Sequence, residues 1–435
     1  MSKLFQIRRY TDPKQIEHLE IHLLGAKMRL PVPNRQLLAY FPKKIGKMRR
    51  RRQIKALLKK ELPEFTRKKE EWLHRSEKKL QRRLFITTGN FQLINSLAII
   101  EQLKSTEHLP VENHILIQSH VTNPAFEELN RSIARAFGIS HFHVCCGPKW
   151  DEPQYMRYLM ENELYAIDQV YSLQSPGHLR VYNTFYRGCE HIVTDESFIT
   201  LLPNSEVMAM ECKKLITTCY LGKLDYVDFP GRPWRVEYLH KEYFDRVAAR
   251  CVEMYPWPEV PDKEGKTVLF CATYVTAWDK LAEERQSFLM QSLLERGYRI
   301  LYKPHPRDPV LPKESAQLKI LHTRLPLECY RMEGVLGVVS LNSSASTQSY
   351  HYSGVPGFID YLYSRESSPE HVGILAREYT PSVECLLKLD ARELPHDELR
   401  EKLLQAYKAH VEPKPMMSQN ELFLKSFHSM MQRKS

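Results

Sequence analysis

From Arg83 onward two spacings of apolar residues take turns along the chain. Short apolar runs closed by turn residues alternate with longer stretches in which apolar positions recur every three or four residues. The first kind predicts buried strands and the second predicts helices. Arg83–Gly89, Asn113–Val121 and His141–Gly147 read as strands, with helices over Asn90–Leu103 and Asn123–Gly138 between them. A long helical pattern from Glu152 to about Tyr171 follows, then two short strand candidates, Leu179–Phe185 and Glu190–Phe198. Proline and glycine punctuate Asp228–Lys266 as at a domain junction. A second series then opens. Its strands are Lys266–Val275, Tyr298–Pro306, Leu318–Thr323, Gly334–Leu341 and Val355–Tyr361. Its helices are Asp279–Gly297, a short one in Leu325–Met332, and one starting at Ser343. Strands alternating with helices of this length imply parallel sheets and right-handed crossovers. The expected architecture is α/β, two Rossmann-like domains facing each other, preceded by a basic, largely helical extension. The expected boundaries are 1–82 for the extension, 83–240 and 241–410 for the two domains, and 411–435 for a last amphipathic helix returning to the first domain.

A chain of 435 residues exceeds one ordinary core, which agrees with two domains. With 43% hydrophobic and 26% charged residues it has the composition of a globular protein. The sequence holds no uncharged apolar run of the roughly 18 residues a membrane span needs. Its opening lacks the apolar stretch of a secretion signal, so a cytoplasmic location is expected. The nine cysteines are scattered and form no C-x-x-C pair, which signals neither a disulfide framework nor a zinc site. His141, His143, Cys145 and Cys146 sit close together, but strand alternation sends neighbours to opposite faces, so they are expected to be buried structural residues.

Charge is local. Between Lys43 and Arg83 there are eighteen Lys and Arg against five Asp and Glu, a surplus larger than the whole chain's net +11. Everything else is slightly acidic. Ile54, Leu57 and Leu58 stand at helical spacing among these cations. A basic amphipathic helix suits an anionic membrane surface, where each cation contributes on the order of 1 kcal/mol. A solvated helical face is the structural alternative. Nucleic acid is the weaker rival partner, because no nucleic-acid-binding signature accompanies the charge.

Candidate chemistry collects where apolar runs end. In open parallel sheets ligands bind beyond the carboxyl ends of the strands. His305 stands at such an end between Pro304 and Pro306, which restrict the backbone on both sides. Lys303 lies two residues earlier, on the same side of the strand. Ser343 and Ser344 end another run and open a helix, an arrangement that suits phosphate through hydroxyls, amides and the helix dipole. Glu328 opens a short helix between the two. It is either a ligand for sugar hydroxyls or a plain first-turn acid. Asp195, Glu196 and Ser197 follow an apolar run of the first series, and offer either a general base or a helix cap.

In this order the residues resemble the bacterial sialyltransferases of GT-B fold, polysialyltransferases included. That family is marked by an acidic D/E-D/E-G motif, then an H-P motif and an S-S motif. The counterparts here are Asp195 to Ser197, His305 with Pro306, and Ser343 with Ser344. Gln92, Leu93, Asn95 and, in poorer register, Glu101 resemble the family's early Q-L-x-N-x-x-E helix. The likeness runs from about Arg83 to Tyr361. It implies that Asp195 deprotonates the acceptor hydroxyl, with Glu196 the competing acid. Lys303 would lie near the cytosine and Glu328 would hold the ribose. His305, Ser343 and Ser344 would contact the CMP phosphate, with His305 the candidate acid. A CMP-sugar leaves as a monophosphate ester whose charge fixed donors can stabilise, so no obligatory metal or other cofactor is expected. Ser197 stands where the family has glycine, which leaves the choice of base open.

The expected function is therefore transfer of sialic acid from CMP-sialic acid to a glycan hydroxyl, with inversion, in assembly of a bacterial capsule or other surface glycan. The partners implied are the nucleotide sugar, an oligosaccharide or lipid-linked acceptor, and an anionic inner membrane face met through residues 43–83. The alternatives are a transferase using CMP-Kdo, CDP-glycerol or CDP-ribitol, or a basic binding module without catalysis.

Overall fold

The computed structural model describes residues 5–11, 17–23, 26–31, 56, 59–75, 80–119, 124–146, 152–173, 181–194, 214–217, 226–229, 232–258, 265–273, 279–305, 311–366 and 370–411. The chain divides into two compact units, one of residues 1–68 with 150–162 and one of residues 69–149 with 163–435.

In the smaller unit, β1 (Phe5–Thr11), β2 (Glu17–Leu23) and β3 (Ala26–Pro31) form an antiparallel three-stranded sheet. This corrects the expectation of a largely helical extension. Leu19, Ile21 and Leu23 recur with period two and Gly25 follows, which is a hairpin signature that the neighbouring charge run overshadows. Helix in this unit is found at residues 59–68, the first part of α1 (residues 59–73), and at Glu152–Glu161. Within the unit, Arg157 pairs with Glu61 across 3.6 Å. Residues 43–55 of the basic segment, with Ile54, Leu57 and Leu58, lie outside the described residues. So does the expected last helix.

The larger unit holds two sheets. The first is built from β4 (Gln81–Thr87), β5 (Val111–Ser119), β6 (His141–Cys146), β7 (Gln169–Leu173), β8 (Glu190–Thr194), β9 (Lys214–Thr217), β10 (Tyr226–Phe229) and β11 (Arg232–Tyr238). Their spatial order is β10-β11-β9-β8-β7-β4-β5-β6, parallel except for the edge pair β10 and β11. From β4 to β9 this is the doubly wound order 3-2-1-4-5-6, with the reversal between β4 and β7. The second sheet has β12 (Thr267–Cys271), β13 (Arg299–Lys303), β14 (Leu318–Ile320), β15 (Val335–Ser340) and β16 (Gly357–Ile359). Its order is β14-β13-β12-β15-β16, all parallel, with the reversal between β12 and β15. The α/β expectation with two Rossmann-like sheets is the observed architecture.

Two segments differ from their patterns. The helix beginning at Glu152 stops at Glu161, and Gln169–Leu173 is the strand β7, because Val170 and Tyr171 are drawn into the sheet core beside Leu84 and Phe85. The expected strand Leu179–Phe185 contains a wide helical turn, Tyr182–Tyr186, whose Tyr182, Phe185 and Tyr186 are all buried. A helical turn groups all three rings on the core, whereas an extended strand sends alternate side chains to opposite faces. Burial, not propensity, decides both.

The central strands are apolar on both faces, as parallel strands covered by helices must be. Leu84, Phe85, Ile86, Val268, Leu269 and Phe270 are at most 1% exposed. α2 (Asn90–Leu103) and α3 (Pro124–Ala136) cover the first sheet. α4 (Lys241–Met254) packs on α2, and one apolar cluster runs from Phe85 and Leu97 through Phe244 and Val247 to Leu269 and Val338. The two sheets thus share a core. α5 (Lys280–Glu295) and α6 (Ser344–Ser353) belong to the second sheet, and Asp279 caps α5 by accepting from the Leu281 and Ala282 amides. At the junction Asn90 Nδ2 donates to the Arg324 carbonyl (3.2 Å), and Phe91 meets Tyr352 edge-on.

Candidate functional site

β12 lies between β13 and β15, so Lys303 and the serine pair flank the same central strand. Strands are spaced about 4.8 Å apart, which places the two motifs on strands about 10 Å apart around the end of β12. That end is the point where strand order reverses, the position at which such sheets bind ligands. Lys303 pairs with Cys271 in register, and its carbonyl accepts from the Ala272 amide (3.0 Å), which ties the two strand ends together. His305 follows two residues past β13 and is half-buried.

Lys303 and Glu328 act on each other electrostatically across this end of the sheet. Burial pushes the Lys303 ammonium below its usual pKa, while Cys271 and Glu328 oppose the shift. Burial raises the Glu328 carboxyl, and Lys303 opposes that shift in turn. Each charge is therefore held partly by the other. Glu328 sits in a single 3-10 turn, Leu327–Cys329, so it is both a first-turn acid and the partner of Lys303. It also lines a cavity of about 700 Å³ between α4, the Pro256–Pro258 segment, residues 328–333 and Tyr352. That cavity touches neither His305 nor the serine pair, so it meets the strand-end cluster through Glu328.

The serine pair is placed by a hydroxyl relay that the sequence reading missed. Ser340, 1% exposed at the end of β15, accepts from the Ser343 amide (2.9 Å) and from the Ser346 hydroxyl (2.8 Å). Ser343 caps α6 by accepting from the Ala345 amide (3.2 Å). A hydroxyl that accepts one bond still has its own proton to donate, so capping does not consume the Ser343 O–H. Ser344 is the first helical residue, where amide and hydroxyl lie at the positive end of the helix dipole. The signal for Ser340 was present: it is a hydroxyl inside an apolar run, one residue before the run ends at Leu341, and is spaced three residues from Ser343 and six from Ser346. Ser340→Ala is expected to cost about 1–3 kcal/mol, because the Ser343 amide and Ser346 hydroxyl lose their acceptor. Urea unfolding checks this.

The structure brings together Lys303, Glu328 and Cys271, with His305 and Ser343 and Ser344 on the flanking strand ends. Asp195, Glu196 and Ser197 come directly after β8, which ends at Thr194, and lie outside the described residues, as does Pro306. Asn95 of the early helix is 3% exposed, and neither end of its amide has a hydrogen-bond partner among the described residues. The expectation for the histidine and cysteine group is corrected: the His141 side chain is 41% exposed and His143 is half-buried. Alternation separates His141 from Phe142 but puts His141, His143 and Cys145 on one face. No described helix is long and apolar enough to cross a membrane.

No family model matches the chain, and no curated protein does. Among solved structures it is similar to the UDP-GlcNAc 2-epimerase of Neisseria meningitidis bound to UDP-GlcNAc, at 12% identity and a TM-score of 0.48, covering 82% of this chain and 100% of that one. It is also similar to the S. aureus MnaA–UDP structure, at 8% identity and a TM-score of 0.46, covering 76% and 92%. A third is the glycosyltransferase SnogD from Streptomyces nogalater, at 12% identity and a TM-score of 0.36, covering 81% and 99%.

Proposed function

We propose that this chain is a GT-B glycosyltransferase that moves sialic acid from CMP-sialic acid to a glycan hydroxyl with inversion, in bacterial surface-glycan assembly. The observation that carries the reading is the placement of Lys303, Glu328, His305 and the capped serine pair around the carboxyl end of β12. A cytidine monophosphate ester presents one base, one ribose diol and one phosphate. The cluster offers a cation, a carboxylate, and hydroxyl and imidazole donors in matching number. In the step itself, Asp195 takes the acceptor proton as the acceptor oxygen bonds to the anomeric carbon. The bond to the phosphate oxygen breaks on the opposite side, and CMP leaves. Fixed donors from His305, Ser343 and Ser344 stabilise the charge that develops on the phosphate. A monophosphate carries less charge than a diphosphate, so side-chain donors suffice at this site without an obligatory metal.

The test is CMP release by purified protein offered CMP-sialic acid, CMP-Kdo, CDP-glycerol and CDP-ribitol, each with and without a sialylated oligosaccharide. Acceptor-stimulated release from CMP-sialic acid alone supports the reading. Release from one of the other donors moves the assignment to that donor, and binding of CMP without turnover supports a non-catalytic module.

The basic segment is part of the same proposal: it holds the enzyme at the anionic cytoplasmic face of the membrane, close to a lipid-linked acceptor. Sedimentation with vesicles of 30 mol% anionic lipid is expected to fall steeply between low and physiological salt, because exposed charges are screened within roughly 8 Å at 0.15 M. Neutralising Lys43 to Arg52 is expected to abolish the binding. Unchanged sedimentation would refute the membrane role.

A further inference from the structure

The first sheet carries a second cluster of chemically active side chains, displaced from the carboxyl strand ends toward the amino-terminal halves of β4, β5 and β6. Arg82 is in register with Glu112, and His114 with His141. Period two then puts Arg82, Glu112, His114, His141 and His143 on one face. His114 Nε2 lies 2.5 Å from Glu112 Oε1, and His141 Nε2 lies 3.3 Å from Glu112 Oε2. One ligand atom from each of Glu112, His114 and His141 falls within 4.8 Å of the others.

We propose that Glu112, His114 and His141 form a site for a divalent cation of the zinc class, with His143 as a positioning residue and Arg82 as the group that competes with the ion. Two imidazoles and one carboxylate suit Zn²⁺, Ni²⁺ or Cu²⁺, whereas an all-oxygen set would suit Mg²⁺ or Ca²⁺. Three protein ligands leave a fourth position for water. The outer residues are those a metal site needs. His143 Nε2 stands 3.3 Å from His114 Nδ1, and a hydrogen bond there leaves Nε2 of His114 for the ion. His114 is 1% exposed while the His141 side chain is 41% exposed, so the site is anchored in the sheet and open to solvent on one side.

Arg82 is the built-in competitor. Its Nε donates to Glu112 Oε1 (2.6 Å), and a terminal nitrogen lies 3.0 Å from His114 Nε2. The guanidinium thus covers the lone pairs that a metal ion would take, and neutralises the carboxylate in the metal-free protein. It also has somewhere to go. Its other terminal nitrogen donates to the Glu163 carbonyl (3.2 Å), and its guanidinium carbon lies 5.7 Å from the Trp72 ring centre. Glu163 itself has φ 53°, a left-handed conformation unusual for a residue other than glycine.

The experiment titrates the chelator-treated, dialysed full-length protein with ZnCl₂ by calorimetry, and with CoCl₂ by visible absorption. Wild type is expected to give intense tetrahedral Co²⁺ bands that His141→Ala removes. His141→Ala is expected to weaken Zn²⁺ at least tenfold, and His143→Gln by about 10-fold, as loss of an outer-shell partner does. Arg82→Gln is expected to tighten Zn²⁺ by roughly tenfold, about 1.4 kcal/mol. A purely structural network predicts the opposite sign for Arg82 or no binding at all. Equal Zn²⁺ affinity in wild type and His141→Ala, or octahedral Co²⁺ spectra throughout, overturns the proposal. Since the His141 side chain is 41% exposed, its variant is expected to keep a melting temperature close to wild type. The wild type and His141→Ala comparison therefore decides the question even if Arg82→Gln fails to fold.

Discussion

Replacing His305 by alanine is expected to lower acceptor-stimulated CMP release by about two to four orders of magnitude, the usual worth of a general acid or base. His305 is half-buried past the end of β13 and holds no place in either core cluster, so the thermal midpoint is expected to stay within a few degrees of wild type. His305→Gln separates the two roles open to the imidazole. An amide can donate a hydrogen bond to a phosphate but cannot give it a proton. Recovery of activity in the glutamine variant therefore means electrostatic stabilisation, and no recovery means proton transfer. Asp195→Ala is expected to lower kcat by a similar factor with little change in the KM for donor, since a base for the acceptor acts in the transition state. If Glu196→Ala carries the loss instead, the neighbouring acid is the base. Undiminished turnover in both His305→Ala and the pair of acid variants would remove the proposed mechanism.

The second large effect concerns packing under the serine pair. Gly357 opens β16 against the backbone of α6, and a Cβ built there would fall inside the Ser346 carbonyl group. The atom it meets is main chain in a helix, so no side chain can swing aside. Gly357→Ala must push α6 off the sheet, at an expected cost of about 3 kcal/mol or more. Because α6 carries Ser343 and Ser344 at its start, CMP affinity should fall together with the urea midpoint. Gly354→Ala is a useful contrast. Its φ of 75° ends α6 in a left-handed cap, but nothing lies within 4 Å of an added Cβ. It is expected to cost only about 1 kcal/mol, the strain of the backbone alone.

Much of the strand-end cluster was legible before any coordinates. Apolar runs broken abruptly by His305 and by Ser343 locate two carboxyl strand ends, and those ends prove to flank one central strand. The pairing of Lys303 with Glu328 was not legible. Twenty-five residues separate them, and their mutual effect arises because a short turn returns the chain over the sheet. The role of Ser340 was not legible either: a single serine within an apolar run carries no sign that it is the buried acceptor that positions Ser343 and Ser346. The partial exposure of His141 and His143 was hidden for a different reason. Strand alternation separates adjacent residues but reunites residues two apart, and the partners Glu112 and His114 come from another strand, which spacing along one strand cannot reveal.

Periodicity alone determined the class of this protein, since a chain must bury its apolar positions and only helices and strands satisfy its backbone while doing so. Local sequence likewise placed strand ends, the charge-rich segment and the candidate phosphate-binding residues, all of which are local properties. Strand order, the two reversal points, the shared core through α2 and α4, the sheet over Phe5–Pro31 and the imidazole cluster were decided by tertiary structure. The physical reason is that pairing between distant strands is worth little until the whole sheet is buried, so nothing in a short window of sequence records which strand becomes whose neighbour.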